Sequence, residues 1–255
     1  MIFTDRFVYV HLPKTGGTTV TSALFQIHLR GAPLARLQKL VNLPLRTHVY
    51  RGGPYGRFVY SKNKHGGCAE IPPDQRGKPI LGTTRSPYAR YVSQYTFGWW
   101  KRHEFRRYYR AVPDFEARFP GFPDLPFGDY VELANEAFGR GGAGLLTQQF
   151  VEFYGRTPEA TLARLAEDPG ADLDLHDVHY LRTKHLNDDL HGYLLDVGYR
   201  AEDVDFVRTM GRVLPGGKGR PKGESWRRHV TPDLQARIRQ LEAPLFRLFP
   251  EYDVP

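Results

Sequence analysis

Phe7 to Gln26 reads FVYVHLPKTGGTTVTSALFQ: an apolar, β-branched run, then Pro-Lys-Thr-Gly-Gly-Thr-Thr, then a helical pattern. The run is short, rich in β formers and stopped at once by a turn signal, which predicts a buried strand over RFVYVHL. Val20, Ala23, Leu24 and Ile27 fall at i, i+3, i+4 and i+7, one apolar helical stripe, and Gly31 is placed to end it. A strand that enters a glycine-containing turn at a helix N-terminus exposes backbone N–H groups and the positive end of the helix dipole, which together hold anionic oxygens. Gly16 and Gly17 let the backbone approach closely, Thr18 and Thr19 add hydroxyls, and Lys14 adds a full charge. The ATP-type loop G-x-x-x-x-G-K-[ST] places its Lys after the final Gly. Here Lys14 precedes both glycines, and no Walker-type acidic strand end stands out.

Outward from this stretch, strand-like and helix-like segments alternate, with no internal repeat. In KPILGTTRSPYARYVSQYTF, Ile80 to Thr84 reads as a strand, Ser86 as an N-cap and Pro87 as the first helical residue. Tyr88, Tyr91, Val92 and Tyr95 form the expected buried stripe. A third unit lies in VHYLRTKHLNDDLHGYLLDVGY, with Asn187 expected to cap a helix that buries Leu190, Tyr193 and Leu194. The last helix starts at TPDL, where Thr231 caps, Pro232 begins and Leu234, Ile238 and Leu241 face inward. Residues 101–145, rich in Arg, aromatics, Pro and Gly, read as a helical insertion or lid. Trp99 and Trp100, just before them, are read as core in preference to a sugar-stacking platform. The alternation predicts an α/β protein, three-layer α/β/α with a central parallel sheet, forming one domain over 1–255.

Lys plus Arg outnumber Asp plus Glu by 36 to 28, a net charge of +8, so the surface attracts anions of many kinds. No apolar run reaches the ~20 residues that span a bilayer, and MIFTDRFVYVHLPK lacks the pattern of a secretory leader, so a cytoplasmic protein is expected. The single cysteine, Cys68, permits neither an internal disulfide nor a multi-cysteine metal site. His176, His179 and His185 lack matched acidic or Cys partners, so no metal site is expected.

RSPYARYVSQY places Arg85 at a strand end, and Ser86, Arg90 and Ser93 at spacings that share the face opposite the tyrosines. An Arg fork and a Ser hydroxyl there can grip a second phosphate. Together the two segments resemble the sulfotransferase superfamily, whose members transfer sulfate from 3′-phosphoadenosine 5′-phosphosulfate (PAPS). PKTGGTT, Pro13 to Thr19, resembles the family's 5′-phosphosulfate loop, and Arg85 to Tyr95 its 3′-phosphate segment, in which an Arg and a Ser eight residues later bind the phosphate. The form of the loop is most similar to the carbohydrate branch that includes uronyl 2-O enzymes and bacterial relatives. LRTKHLNDDL and GKGRPKGESWRRHVTPDL resemble that branch more loosely, and Lys184 stands where relatives often carry Glu.

The resemblance implies that Lys14, Thr15, Gly16, Gly17, Thr18 and Thr19 bind the 5′-phosphosulfate, and Arg85 and Ser93 the 3′-phosphate. It implies that Lys218, Gly219 and Arg220, in a basic loop with five cations over 214–228, close on the nucleotide. Sulfuryl transfer is mostly positioning and charge stabilisation, so Lys14 is expected to follow the bridging oxygen as charge builds on it. The acceptor, a hydroxyl of a glycan or small molecule, needs a base near neutrality. His48, between the two phosphate motifs, is where relatives place a catalytic histidine; His65 is its nearest competitor, and His11 is expected to pack beside the site. No metal and no nucleic-acid partner enter this reading. Two others stand beside it: a kinase or NTPase with an atypical phosphate loop, and a non-catalytic binder of polyanions.

Overall fold

In the computed structural model, which describes residues 1–30, 47–61, 63, 65–139, 142–214 and 225–254, the stretch from Phe7 forms strand β2 (Val8–Tyr9), a turn, and helix α1 (Gly17–Leu29). Gly31, expected to end that helix, lies outside the described residues. Before β2 a first strand, β1 (Ile2–Phe3), folds back through a tight turn in which the Thr4 hydroxyl donates to the Phe7 carbonyl at 2.9 Å and accepts the Phe7 N–H at 2.9 Å. Beyond α1 come β3 (Thr47–Gly53), β4 (Gly56–Ser61) and β5 (Ile80–Thr84), and later β6 (Val178–Arg182).

The fold is α/β, but its six-stranded sheet is mixed, in the order β3-β4-β1-β2-β5-β6. Among the described residues β2–β5 and β5–β6 are parallel, and β1–β2, β1–β4 and β3–β4 are antiparallel. This corrects the expectation of a central parallel sheet. The cause is connection length: β1–β2 and β3–β4 are joined by tight turns, the second with Gly56 at φ 77, and a parallel pair needs a crossover of a dozen residues or more.

Residues form two compact units, Met1–Thr84 with His176–Gly217, and Arg85–Leu175 with Lys218–Pro255. The first holds the sheet. On one face a single apolar cluster joins Tyr9, Leu81 and Leu181 of the strands to Val20, Ala23, Leu24 and Ile27 of α1 and to Leu190, Tyr193 and Leu194 of the helix Leu186–Asp196, so both expected helical stripes are buried. That helix begins at Leu186 with no side-chain cap; Asn187, expected as its cap, sits inside the first turn and donates to the Met210 carbonyl at 2.8 Å.

The second unit is helical. α2 (Pro87–Phe97) starts after Ser86 with Pro87 in its first turn, as expected, and stops at Gly98, φ 68, whose N–H reaches the Gln94 and Tyr95 carbonyls. Short helices at Arg106–Tyr109 (α3) and Phe115–Arg118 (α4) and longer ones at Phe127–Phe138 (α5), Leu145–Tyr154 (α6) and Pro158–Glu167 (α7) follow, with no intervening strand among the described residues. The helical segment thus runs well past 145. Trp100 is fully buried, and Trp99 is half-buried against Phe105 and Phe138. The chain closes with Pro232–Leu241, where Thr231 caps through its hydroxyl and Ile238 is buried, and Ala243–Leu248.

Candidate functional site

Parallel β2, β5 and β6 end on one edge of the sheet, where an open α/β sheet places its ligands. The turn Pro13–Gly16 lies there. Lys14 has φ 67 and Gly16 φ 93, both left-handed. Glycine adopts that conformation freely; for a lysine it costs about 1–2 kcal/mol. Such a residue persists only where its surroundings hold it, and these surroundings are specific. The Thr15 hydroxyl, fully buried, donates to the Leu12 carbonyl at 2.7 Å and accepts from Thr83 Oγ1 at 2.6 Å, pinning the turn to β5. The Thr183 hydroxyl, directly after β6, lies 2.8 Å from both the Thr15 and Thr84 carbonyls, its one proton able to serve either. Thr183 thereby sets the turn after β2 against the ends of β5 and β6. Nothing in the sequence pattern marked Thr183, although it falls within LRTKHL.

At the helix start, Gly16 and Gly17 are required by space as well as by φ. A Cβ on Gly16 would come within 2.7 Å of Leu186 Cδ2, and one on Gly17 within 2.1 Å of the His11 ring. Position 17 therefore excludes any side chain unless His11 moves. Of the first-turn amides of α1, the Thr19 N–H donates to the Gly16 carbonyl at 2.9 Å, while those of Gly17 and Thr18 have no intrahelical acceptor by position and suit an anion. Thr18 is half-buried, while the Thr19 hydroxyl is turned inward and accepts the Val213 N–H at 3.2 Å. Of the loop's expected ligands, Thr15 and Thr19 thus commit their side chains to the fold; Lys14, Gly16 and Thr18 are half-buried, and Gly17 is buried. Val213 leads toward Lys218, Gly219 and Arg220, which lie outside the described residues.

In the second unit, Arg85 and Ser93 are both half-buried, and the Ser86 hydroxyl, at the N-cap position, makes no cap bond. Arg90 departs from expectation. It points into the core with Tyr91, only 2% exposed, and donates to Gln149 Oε1 at 2.7 Å and toward the Leu146 carbonyl at 3.4 Å. An arginine can be buried there because polar partners meet it; burial pushes its pKa down to about 10, against the attraction of Glu242.

The histidines separate clearly. His48 lies within β3, on the edge of the sheet, flanked by the rings of Tyr50 and Tyr60 at 6.4 and 6.2 Å. It pairs with Tyr60, Tyr60 with Ile2, and Ile2 with Tyr9, so β4 and β1 intervene and about 14 Å of sheet separates His48 from β2. The His11 ring stacks on Tyr9 at 5.9 Å and abuts Gly17. His65 meets His11 edge-on, ring centroids 4.9 Å apart, with Nδ1 at 3.2 Å from the His11 carbonyl.

Elsewhere, Lys184 is exposed just after β6, and the His179 ring packs on Tyr193 at 4.7 Å. Among the described residues no group of three or more His, Cys, Asp or Glu side chains is placed to hold a metal ion. Among them, too, no helix is long and apolar enough to cross a membrane. Burial pushes the Cys68 thiol up to about 12, which leaves it inert as a nucleophile. An open groove of about 610 Å³ lined by Phe25, Leu29, Arg30 and Phe206 lies toward the C-terminal end of α1, about 12 Å or more along the helix from Gly17. It is remote from the turn and lacks its donors. No protein-family model matches the chain, and no curated protein or solved structure matches it significantly.

Proposed function

We propose that the protein is a PAPS-dependent sulfotransferase that transfers a sulfuryl group to a hydroxyl of a glycan or small-molecule acceptor. The observation that supports this most is Lys14, held at φ 67 in a turn fastened by Thr15, Thr83 and Thr183, directly ahead of two glycines that open a helix. The donor set suits a 5′-phosphosulfate: first-turn amides and a helix dipole for the phosphate, space left by two glycines, and one cation for the oxygen that leaves. The position of Lys14 before the glycines favours this over an ATP-type loop.

On this reading the chain's own residues bind, orient and stabilise. Lys14 and the loop amides hold the 5′ end, and Arg85 and Ser93 take the 3′-phosphate. Lys218 and Arg220, with Gly219 between them, add cations for the nucleotide. The transferred sulfuryl group carries less charge than a phosphoryl group, so no metal is required by the chemistry. The direct test is to incubate the protein with PAPS and a panel of sugar, phenol and alkyl-alcohol acceptors and follow 3′,5′-bisphosphoadenosine. Acceptor-dependent release is expected; none above the uncatalysed rate refutes the proposal.

A further inference from the structure

We propose that the aromatic and arginine-rich segment 99–110 is a docking surface that seats the helical unit on anionic lipid; this does not depend on the sulfotransferase reading. Trp99 to Arg110 reads WWKRHEFRRYYR, with five Lys or Arg against one acid, so this short stretch carries a net +4 of the chain's +8.

The turns of this segment sort its rings. Trp100 and Tyr109 go inward, at 0% and 1% exposure, and pack on Tyr130 and Phe122 at 4.9 and 5.4 Å. Trp99 and Phe105 stay half-buried, and Tyr108 is 40% exposed. With Phe138 of α5 these three close into one patch: Trp99 lies 4.8 Å from Phe105 and 5.8 Å from Phe138, and Tyr108 lies 5.6 Å from Phe138 and 6.4 Å from Phe105. Rings gathered at a surface, beyond those the core takes in, mark an interaction site.

The cations of the segment are largely unspent. Lys101 pairs with Asp124 at 2.7 Å, but the pair of Arg102 with Glu104, at 3.6 Å, joins side chains that are 61% and 65% exposed and contributes little. Among the described residues no acid pairs with Arg106, Arg107 or Arg110, and the last two are exposed.

This mixture selects the partner. Partly exposed rings with arginines beside them suit a membrane–water interface, the rings at headgroup level and the guanidinium groups on lipid phosphates. An anionic leaflet adds attraction for each cation. A second copy of the chain would bring the same cations face to face. A sugar or base needs an open ring face to stack on. Here the Arg107 guanidinium already lies over the Tyr108 ring at 4.7 Å, and Trp99 is set against two rings. The contact is peripheral, since α3 is four residues long.

The test sediments the full chain with vesicles of phosphatidylcholine alone and of an equal mixture of phosphatidylcholine and phosphatidylglycerol. The parent is expected to bind the mixed vesicles, less so at high salt, and not the neutral ones. Arg107→Glu combined with Arg110→Glu is expected to weaken binding at least about 25-fold, about fivefold for each cation lost. Tyr108→Ala, which leaves the charge alone, is expected to weaken it severalfold. Arg57→Glu combined with Arg208→Glu removes the same charge from exposed positions of the sheet unit and is expected to cost no more than about twofold. Equal loss in the two double variants, parental binding by Tyr108→Ala, or a parent that ignores the mixed vesicles overturns the proposal. Tighter binding of a single-stranded oligonucleotide than of mixed vesicles, or a dimer that Tyr108→Ala dissociates, assigns the patch to another partner and overturns it too. Bisphosphoadenosine binding and PAPS turnover are expected to stay parental in the Arg107, Arg110 and Tyr108 variants, so each proposal fails separately from the other.

Discussion

Lys14→Ala is expected to lower PAPS turnover by about a hundredfold or more, the scale seen when one donor to a developing negative charge is removed. Lys14 stands in a turn held from three sides, by the Leu12 carbonyl, Thr83 and Thr183, and its left-handed φ of 67 is a conformation that alanine resists about as much as lysine does. The backbone cost therefore changes little and the charge is what is lost. Lys14→Gly separates the two further. Glycine at φ 67 relieves roughly 1 kcal/mol of backbone cost, so this variant should be more stable than the parent and as slow as Lys14→Ala. Steady-state turnover and urea unfolding on both variants check this. A Lys14→Gly protein with parental turnover would show that the lysine's charge is not used.

Glu242→Ala is expected to destabilise the helical unit by about 3–5 kcal/mol, the range for leaving a buried charged network without one partner. Glu242 is fully buried at the junction of the last two helices. Its carboxylate accepts the Leu146 N–H at 3.0 Å, the Thr147 N–H at 2.7 Å, the Thr147 hydroxyl at 2.6 Å and the Tyr91 hydroxyl at 2.5 Å. It caps α6 from nearly a hundred residues away, satisfying first-turn amides that otherwise have no acceptor. Burial raises its pKa, and these donors work against that rise. Removing it orphans two amides and the Thr147 hydroxyl, leaves the Tyr91 hydroxyl only Asn135 Oδ1 at 3.0 Å, and takes a counter-charge from buried Arg90. A fall in Tm on the order of 10 °C follows for a chain of this size. Glu242→Gln, which keeps the shape but turns an N–H₂ toward donors, should fall between parent and alanine variant. A loss below about 1 kcal/mol for Glu242→Ala would mean that water replaces the carboxylate, contrary to its burial.

What could be read from the chain was mostly local. Val20, Ala23, Leu24 and Ile27 are all at or below 1% exposure, as their spacing demands, and Pro87 and Thr231 mark helix starts where turn chemistry puts them. What was missed depends on partners distant in sequence. The antiparallel half of the sheet hides in Ile2–Phe3, too short to show a period, and in GGPYG at 52–56, a hairpin signal that points to antiparallel β3 and β4. Arg90 looked like a surface cation because its acceptor Gln149 is 59 residues on. Asn187 has a cap residue's chemistry but spends it on Met210. In the candidate site the loop and its glycines were legible as a motif, whereas the threonine clasp is not, since Thr183 lies 168 residues from Thr15.

The central claim, that the turn at Lys14 belongs to a site for a 3′,5′-bisphosphorylated adenosine, is tested most directly by thermal shift in the absence of metal, comparing 3′,5′-bisphosphoadenosine with ADP. At a hundred times its dissociation constant, a ligand of the native state adds about 2.7 kcal/mol of stability. Bisphosphoadenosine is predicted to raise Tm by several degrees and ADP by clearly less. Equal stabilisation by the two, or by neither, would contradict the account.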